Sequence, residues 1–293
     1  MVKKHHMKKD KLSIAIDIIN YTLLTIIFII MVYPIWYIIV LSLNEGFDAA
    51  KGGLFLWPRK ITFDNYKVAL GNKDLYRALI VSVLRTGIGT LLSVIFIALM
   101  AYALADKKLP GRRWITKFFF FTTLFSGGSI PMLILIAQLN LLNNFWVYIL
   151  PAIYGFINML IVKINFESIP IELRESAEMD GAGDLQIFFR IYLPLAKSSI
   201  ATIALFTLVI HWNDWYAGKY YMTNKALKPA ATILQEMIKN GSEASTYLDS
   251  NATTTNQTLQ AAFVVIIMLP VMLLYPFAQK YFVKGAIVGS IKE

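Results

Sequence analysis

The residues whose types are best suited to binding or catalysis lie in one aromatic and polar stretch, HWNDWYAGKYY at 211–221. Five of them recur at the helical spacing i, i+3, i+4, i+7 and i+8, which predicts one shared face: Trp212, Trp215, Tyr216, Lys219 and Tyr220. Asp214 lies in an otherwise apolar run, and a charged group there usually faces a cavity or a partner. The alternative is an interfacial belt of Trp and Tyr.

Several other chemistries are excluded or disfavoured. Cysteine is absent, so no disulfide, thiolate nucleophile or cysteine-based metal site exists. His5 and His6 lie in a basic tail and His211 stands apart from them, which predicts no metal site. Gly218 and Lys219 are followed by Tyr220 and match no phosphate-binding loop. An embedded transferase with His211 and Asp214 as acid and base would need a second polar cluster at similar depth, and none is found.

A second unusual stretch is the charged insert ELRESAEMDGAGDLQIFFRIYLP at 172–194, which interrupts two very apolar regions. The 293 residues are 57% hydrophobic and 16% charged, with a mean hydropathy of +0.58. Soluble domains carry about 25% charged residues, so this composition indicates a membrane protein. The net charge of +10 comes largely from short basic stretches between apolar runs, which indicates topology rather than nucleic-acid binding.

The apolar runs predict six membrane-spanning helices, since about 20 apolar residues cross a bilayer as a helix. The run at 118–162 is long enough for two helices and is divided by the polar turn QLNLLNN at 138–144. The predicted spans are 18–44, 78–105, the two halves of 118–162, 198–221 and 250–279. The fold class is therefore an all-α integral membrane protein with one six-helix domain at 13–293, after a basic N-tail at 1–12.

Six spans place both termini on one side, and the basic residues indicate which side. The turn DKKLPGRR at 106–113 is rich in Lys and Arg, whereas QLNLLNN has neither. With the termini in the cytoplasm, more than half of the 28 Lys and Arg residues are cytoplasmic. The insert and the C-tail at 280–293 are then cytoplasmic, while the connections at 45–75 and 223–257 face outward.

The insert itself predicts two short helices joined by a bend. Pro170 suits a first helical turn, Gly181 suits a left-handed helix end, and Asp184 suits the cap of a second helix that Pro194 closes. Such a knob either docks in the groove of another protein or packs its aromatic residues, Phe188 and Phe189, against the helix bundle. The pattern alone leaves both alternatives open.

The insert resembles the EAA loop of ABC-importer permease subunits. The family pattern is Glu-Ala-Ala, three residues, Gly, nine residues, Ile, one residue and Leu-Pro, and Ser176 stands at its first Ala. The stretches LWPRKITFDNY at 56–66 and QKYFVKGAIVGSIKE at 279–293 resemble maltose-type carbohydrate permeases. FSGGSIPMLILIAQLNLLNNFWVYILP at 125–151 resembles a subgroup associated with complex oligosaccharides. The resemblance covers essentially the whole chain.

This resemblance implies a non-enzymatic permease of a type I importer in the bacterial cytoplasmic membrane. The partners it implies are a second, paralogous permease, an extracytoplasmic solute-binding protein, a carbohydrate and a separate ATPase dimer that binds ATP and Mg²⁺; this chain holds no cofactor. The loop at 168–197 is the implied ATPase contact, through residues that match or flank the motif: Glu175, Ser176, Ala177, Met179, Asp180, Gly181, Ala182, Asp184, Ile191, Leu193 and Pro194.

Within the spans, the same resemblance requires a solute pathway lined by polar or aromatic groups. Sugars bind to flat aromatic surfaces together with polar groups, so the predicted pathway residues are His211, Trp212, Asn213, Asp214, Trp215 and Tyr216. Arg85 is expected to extend toward the outer surface, and Ser126-Gly127-Gly128 suits either a helix break or close packing. A permease for a non-sugar solute, such as an amino acid, is the alternative that shares the EAA loop.

Overall fold

The computed structural model describes residues 11–239 and 253–290, and the described residues are mostly helical. The predicted N-tail at 1–12 lies outside this part except for its last two residues, as do residues 240–252 and 291–293. In chain order the helices are α1 (Lys11–Ser42), α2 (Gly46–Ala49), α3 (Asp64–Gly71), α4 (Lys73–Ala105), α5 (Arg112–Leu124), α6 (Ser129–Gln138) and α7 (Phe156–Glu167). They continue with α8 (Ile171–Met179), α9 (Asp184–Ile187), α10 (Leu193–Leu195), α11 (Lys197–Asn213), α12 (Tyr216–Tyr220), α13 (Ala230–Lys239) and α14 (Asn256–Ser290).

Non-α turns complete the described chain. Short 3₁₀ helices occupy Phe145–Tyr148, Leu150–Ala152 and Lys225–Leu227, and a π-helix occupies Phe188–Tyr192. Within the described residues the only β contact is an isolated antiparallel bridge between Asn44 and Ile61. The all-α class predicted from the composition and the apolar runs is therefore confirmed.

Three helices are long and apolar enough to cross a membrane, and the number rises to six when each bent pair counts as one span. The single helices are Leu12–Ser42, Lys73–Ala105 and Asn256–Leu274. The pairs are Arg112–Leu124 with Ser129–Gln138, Phe145–Ala152 with Phe156–Glu167, and Asp184–Leu195 with Lys197–Tyr220, bent by 117°, 51° and 85°. Six spans agree with the prediction, but the third, fourth and fifth are broken rather than continuous.

Local sequence explains the interruption of the third span and the turn between the third and fourth spans. Gly128 has φ +88°, so the chain breaks at the Ser126-Gly127-Gly128 segment, and the helix-break alternative is the correct one. At the predicted QLNLLNN turn, α6 ends at Gln138, and Asn140 and Asn143 adopt left-handed conformations with φ 54° and 55°. Asn tolerates this conformation better than most residues, so the polar turn predicted from its composition is confirmed.

The chain forms two compact units, of which the smaller takes in the described residues of Met1–Ala69 and Ala244–Val265. In this unit, Asn65 donates from Nδ2 to the carbonyl oxygens of Ser42 (2.8 Å) and Asn44 (2.9 Å). Hydrogen bonding from Asn44 and then the nearby Arg59 guanidinium lower the pKa of Asp48, although burial opposes this. The polar connection after α1 is therefore an ordered structure.

Most residues of α1 are exposed in the isolated chain, and every residue at 18–36 is exposed. The exposed side chains of this segment are mainly Ile, Leu, Phe, Met and Tyr. A helix that is apolar on all sides is stable when lipid or another apolar surface surrounds it. This exposure agrees with the membrane location predicted for the first span.

The larger unit, Leu70–Glu243 with Ile266–Glu293, is organised around α4. The buried residues of α4 form one stripe at spacings of three and four, which includes Ala78, Ser82, Arg85, Gly89, Ser93, Ile97 and Ala101. This stripe packs against α7 and α11. Small residues allow the close backbone approach on which helix association in membranes depends.

Gly89 provides the sharpest test of this packing, because a Cβ added there would lie 2.7 Å from Cε1 and Nε2 of the buried His211 ring. At Gly87 the same atom would meet nothing within 4 Å. We expect Gly89→Ala to lower the free energy of unfolding by roughly 1–3 kcal/mol relative to Gly87→Ala. Unfolding of both variants in mixed detergent micelles measures the difference in unfolding free energy. Because both variants replace Gly with Ala in the same helix, the change in helix propensity cancels. Equal stabilities would contradict the described contact between α4 and α11.

Candidate functional site

The loop at 168–197 contains a bend at Gly181 that separates two helical segments. The α8 helix ends at Met179, and Gly181 adopts φ +79°. The N–H of Gly181 donates to the Glu178 carbonyl (3.0 Å), and the N–H of Ala182 donates to that of Ala177 (2.9 Å). These two bonds form a Schellman motif. The left-handed helix end predicted at Gly181 is confirmed.

The predicted cap at Asp184 is wrong. The second segment begins at Asp184 itself, with Gly183 as its N-cap and no side-chain capping bond. The Asp184 carboxylate instead accepts a hydrogen bond from Nη2 of Arg174 at 3.1 Å. A guanidinium supplied by the preceding helix is a strong donor, and its position follows from the bend rather than from the local sequence.

The predicted stop at Pro194 is also displaced. Helical structure continues from Asp184 through the π-helix to Leu195, and the chain turns at Ala196 before α11. Within the π-helix, the N–H of Leu193 donates to the carbonyl of Phe188, five residues earlier. Pro194 lies in the first turn of α10, where its missing N–H is tolerated.

Arg174 links the two segments to α4. Its guanidinium pairs with Glu178 on its own helix (2.7 Å), with Asp184 after the bend (3.1 Å) and with Asp106 directly after α4 (3.0 Å). Burial opposes the charged form, but the Glu178 hydrogen bond and the neighbouring acidic groups raise the pKa of Arg174. The side chain is only 14% exposed, so these pairs are better shielded than ordinary surface ion pairs.

The alternative in which the aromatic residues pack against the helix bundle is correct for Phe188, whereas Phe189 stays exposed and docking in another protein stays a prediction. Phe188 is 1% exposed and packs against the rings of Tyr102 and Phe166, with centroids 5.3 and 6.4 Å away. Phe189, the next residue, is 52% exposed. Leu185 and Met179 are 65% and 88% exposed. One face of the loop is thus anchored to the helix bundle, and the other presents an apolar surface.

The remaining predicted ATPase-contact residues divide in the same way. The exposed ones are Glu175, Ser176, Asp180, Gly181, Asp184 and Pro194. The half-buried ones, which pack against the buried cluster, are Ala177, Ala182, Ile191 and Leu193. A cavity of about 390 Å³ lies between α8 and the end of α4, and its lining includes Tyr102, Asp106, Arg174 and Glu175.

The second candidate region, 211–221, is broken at Asp214. The α11 helix ends at Asn213, Asp214 has φ −71° and ψ 109°, and helical structure resumes at Tyr216. The Asp214 Oδ1 atom accepts from the N–H groups of Tyr216 (2.8 Å) and Ala217 (3.3 Å), so it caps α12. The single face predicted for Trp212, Trp215, Tyr216, Lys219 and Tyr220 is wrong, because a continuous helix was assumed.

Arg85 is buried rather than extended toward the surface, so the prediction for this residue is also wrong. Its side chain is 1% exposed. Nη1 donates to the backbone carbonyl of Asp214 (2.7 Å), Nη2 pairs with its carboxylate, and the guanidinium lies 4.6 Å from the Tyr148 ring centroid. Arg85 therefore binds both the break in the chain and the acidic residue at that break, which offsets the cost of burying either charge alone.

The predicted pathway residues do not share one surface. His211 and Trp212 are 1% and 5% exposed, and the Trp212 indole donates to the Ile267 carbonyl at 3.1 Å. Asn213 is exposed, whereas Asp214, Trp215 and Tyr216 are half-buried. Neither ring nitrogen of His211 has a hydrogen-bond partner among the described residues, so His211 and Asp214 are not arranged as an acid and base pair.

The sequence analysis did not identify Arg174 and Asp106 as site residues, and it did not pair Arg85 with Asp214. One signal was available for the second pair, since each residue is an isolated charge within an apolar run and such charges usually pair inside the membrane. No comparable signal existed for Arg174, which lies in a strongly charged segment. Across residues 11–239 and 253–290, no three His, Asp or Glu side chains form a group suited to a metal ion.

Comparisons with known proteins cover nearly the whole chain. The model of a family described as "binding-protein-dependent transport system inner membrane component" matches residues 7–288. Protein LplC of Bacillus subtilis (strain 168) is 35% identical over 100% of both chains. The polygalacturonan/rhamnogalacturonan transport system permease protein YtcP of the same strain is 36% identical over 94% of this chain and 98% of that protein.

A solved structure is similar over the same extent. It is the crystal structure of a bacterial ABC transporter involved in the import of the acidic polysaccharide alginate. Its matching chain is 31% identical, with a TM-score of 0.87 over 94% of this chain and 99% of that one. The helical fold is therefore similar to that of a known transporter chain.

The ion pair between Arg85 and Asp214 generates a stability prediction. Asp214→Asn keeps an oxygen that accepts from the N–H of Tyr216 but leaves Arg85 buried without its counter-charge. We expect this variant to lose about 3–5 kcal/mol of unfolding free energy, and Arg85→Met in addition to restore most of the loss. Unfolding in mixed micelles measures both effects.

The exposed pair of Arg77 with Asp74 on the same α4 helix supplies the control. Its nearest atoms are 3.7 Å apart, and the two side chains are 63% and 54% exposed. Asp74→Asn is expected to change the unfolding free energy by less than about 1 kcal/mol. If Asp214→Asn proved no more destabilising than Asp74→Asn, the buried ion pair would not be a structural requirement.

Proposed function

The chain belongs to the family of binding-protein-dependent transport system inner membrane components, and on that premise we propose that it is the permease subunit of an ATP-driven carbohydrate importer. The observation that carries the proposal is the 168–197 loop, which is anchored on one face and exposes apolar side chains on the other. An importer needs such a rigid contact, because a soft linker would absorb the movement of the ATPase.

The substrate that the relatives favour is an oligosaccharide. YtcP carries the name of a polygalacturonan/rhamnogalacturonan permease, and the similar structure belongs to a transporter that imports alginate. These names favour a saccharide over an amino acid, the alternative that the EAA loop leaves open. Delivery by an extracytoplasmic binding protein follows from the description of the family.

The ATPase contact that we propose uses the exposed face of the 168–197 loop. Met179, Leu185 and Phe189 supply apolar area, and Glu175 supplies a charge for a basic residue of the ATPase. ATP and Mg²⁺ are then held by the separate ATPase dimer, since this chain has no phosphate-binding loop. Hydrolysis therefore belongs to the partner, and this chain converts ATPase closure into a change of the solute pathway.

The remaining partners surround the apolar helices. A second, paralogous permease completes the pathway, and the exposed apolar surface of α1 supports a contact with it or with lipid. We place both termini and the 168–197 loop in the cytoplasm, because six spans return the chain to its starting side and the shortest basic turn, 106–113, lies on that side. The membrane is expected to be the bacterial cytoplasmic membrane.

For the solute pathway, the residues around the break in the fifth span are the best candidates. Asn213 is exposed, and the half-buried Trp215 and Tyr216 lie directly after the break. An amide and two aromatic rings are groups suited to transient sugar contacts. His211, Trp212 and Asp214 are assigned to the support of this surface, since the first two are buried and the third is paired with Arg85.

Substitutions in the 168–197 loop test the coupling role. Glu175→Lys reverses an exposed charge, and Gly181→Pro imposes a φ near −65° where the native value is +79°. We expect either variant to leave membrane insertion intact and to lower ATP-dependent sugar uptake by roughly tenfold or more, which corresponds to about 1.4 kcal/mol. ATP hydrolysis should persist. Paired uptake and hydrolysis assays on the reconstituted transporter measure this uncoupling.

Matched controls come from neighbouring positions. Glu172→Lys reverses another exposed charge one turn earlier on α8. Gly183→Ala replaces a glycine with φ −77° whose added Cβ meets nothing within 4 Å. Both controls should transport nearly normally. Full uptake by Glu175→Lys and Gly181→Pro would remove the 168–197 loop from the coupling mechanism.

A further inference from the structure

The three carboxylates that pair with Arg174 differ in exposure and in location. Only one of them lies outside the 168–197 loop. Glu178 and Asp184 both belong to the 168–197 loop, and their side chains are 38% and 73% exposed. Asp106 lies outside the loop, directly after α4, and its side chain is 25% exposed. The most sheltered of the three carboxylates is therefore the one that connects the loop to a membrane-spanning helix.

The α4 helix is suited to carry movement away from this point. It runs unbroken from Lys73 to Ala105, whereas the spans formed by α5 and α6 and by α9 to α12 are bent. Arg85 lies on α4 about 31 Å from Asp106 along the axis, at a rise of 1.5 Å per residue. One unbroken helix thus has a half-buried ion pair directly after its C-terminal end and a buried one about a third of the way from its N-terminal end.

The second ion pair, between Arg85 and Asp214, lies at the joint between α11 and α12. Arg85 binds the carbonyl and the carboxylate of Asp214, the residue at which α11 stops and after which α12 begins. A displacement of α4 along its axis would pull on this joint, because the guanidinium holds the backbone as well as the side chain. The residues on either side of the joint are those proposed above for sugar contact.

We propose that Arg174 is the positioning residue that transmits movement of the 168–197 loop to α4 through Asp106, and that α4 transmits it to the joint at Asp214. The inference rests on the proposed function, since it assumes that an ATPase moves the loop. The ring of Tyr102 on α4 also contacts Phe188 and Tyr192 in the loop. The packed rings transmit movement of the loop toward α4, because they resist compression. The ion pair between Arg174 and Asp106 also resists separation, so it transmits movement in both directions of the transport cycle.

Asp106→Asn is the most selective variant. It keeps the side-chain oxygen that accepts from the N–H of Lys108 at 2.8 Å and removes the charge that pairs with Arg174. In the reconstituted transporter we expect the number of sugar molecules imported per ATP hydrolysed to fall about fivefold or more, the size of a typical coupling effect. The rate of ATP hydrolysis and the yield of intact complex should stay close to normal.

Glu178→Gln is the matched control, because it also removes one carboxylate from Arg174 but leaves the connection to α4 intact. Its import ratio should remain within about twofold of the unmodified transporter. Arg174→Gln should reproduce the Asp106→Asn defect, and the double variant should be no worse than Arg174→Gln alone. A double-mutant cycle of this kind supplies the coupling evidence that spatial proximity lacks.

A fluorescent label on α11 tests directly whether movement reaches the joint at Asp214. The chain has no cysteine, so Ile210→Cys, at an exposed position one turn before Asp214, accepts a single environment-sensitive fluorophore when the partner subunits are cysteine-free. A non-hydrolysable ATP analogue should shift the emission in the otherwise unmodified transporter and in Glu178→Gln. The shift should be at least halved in Asp106→Asn.

The outcomes separate the two proposals. An unmodified complex without ATP-dependent sugar uptake would overturn the proposed function, and this inference with it. If the unmodified complex transports but Asp106→Asn behaves like Glu178→Gln in import ratio and emission shift, the α4 route alone is overturned. Additive losses in the double variant would likewise show that Arg174 and Asp106 act separately.

Discussion

The structure depends on the rule that polar groups within a bilayer must find partners inside the protein. The break at Asp214 leaves backbone groups without their helical partners toward the end of an apolar span. Arg85 satisfies the carbonyl of Asp214 and pairs with its carboxylate, and that carboxylate in turn caps α12. A single buried arginine therefore makes a broken span compatible with a membrane, and the break supplies irregular structure where a solute pathway needs it.

A second arginine has an equivalent role at the C-terminal end of α4. Arg174 holds the two halves of the 168–197 loop and the residue after α4 together through three carboxylates. Apolar packing of Phe188 with Tyr102 and Phe166 fixes the same region from its buried side. Between the two polar centres, α4 packs through small residues against α7 and α11, so its backbone lies close to its neighbours.

Local turn chemistry was readable without a structure. The bend at Gly181, the turn at QLNLLNN and the interruption at Ser126-Gly127-Gly128 all contain residues that adopt left-handed backbone conformations at low cost. The break at Asp214 has no left-handed residue. Besides the local cap that its carboxylate forms, it is held by Arg85, which is 129 positions away in the sequence. Asp184 was misassigned for a related reason, since Arg174 competes for the carboxylate that would otherwise cap the helix.

The amino-acid sequence by itself determined the membrane class, the six apolar segments, the bend in the charged insert and the spacing that matches the transport family. Each of these follows from composition, periodicity or local backbone preference. Tertiary structure alone decided that Arg85 is buried, that Phe188 packs inward while Phe189 stays exposed, and that Arg174 joins the loop to α4. These features depend on which distant residues surround a side chain, because burial and ion pairing are properties of neighbours in space rather than in sequence.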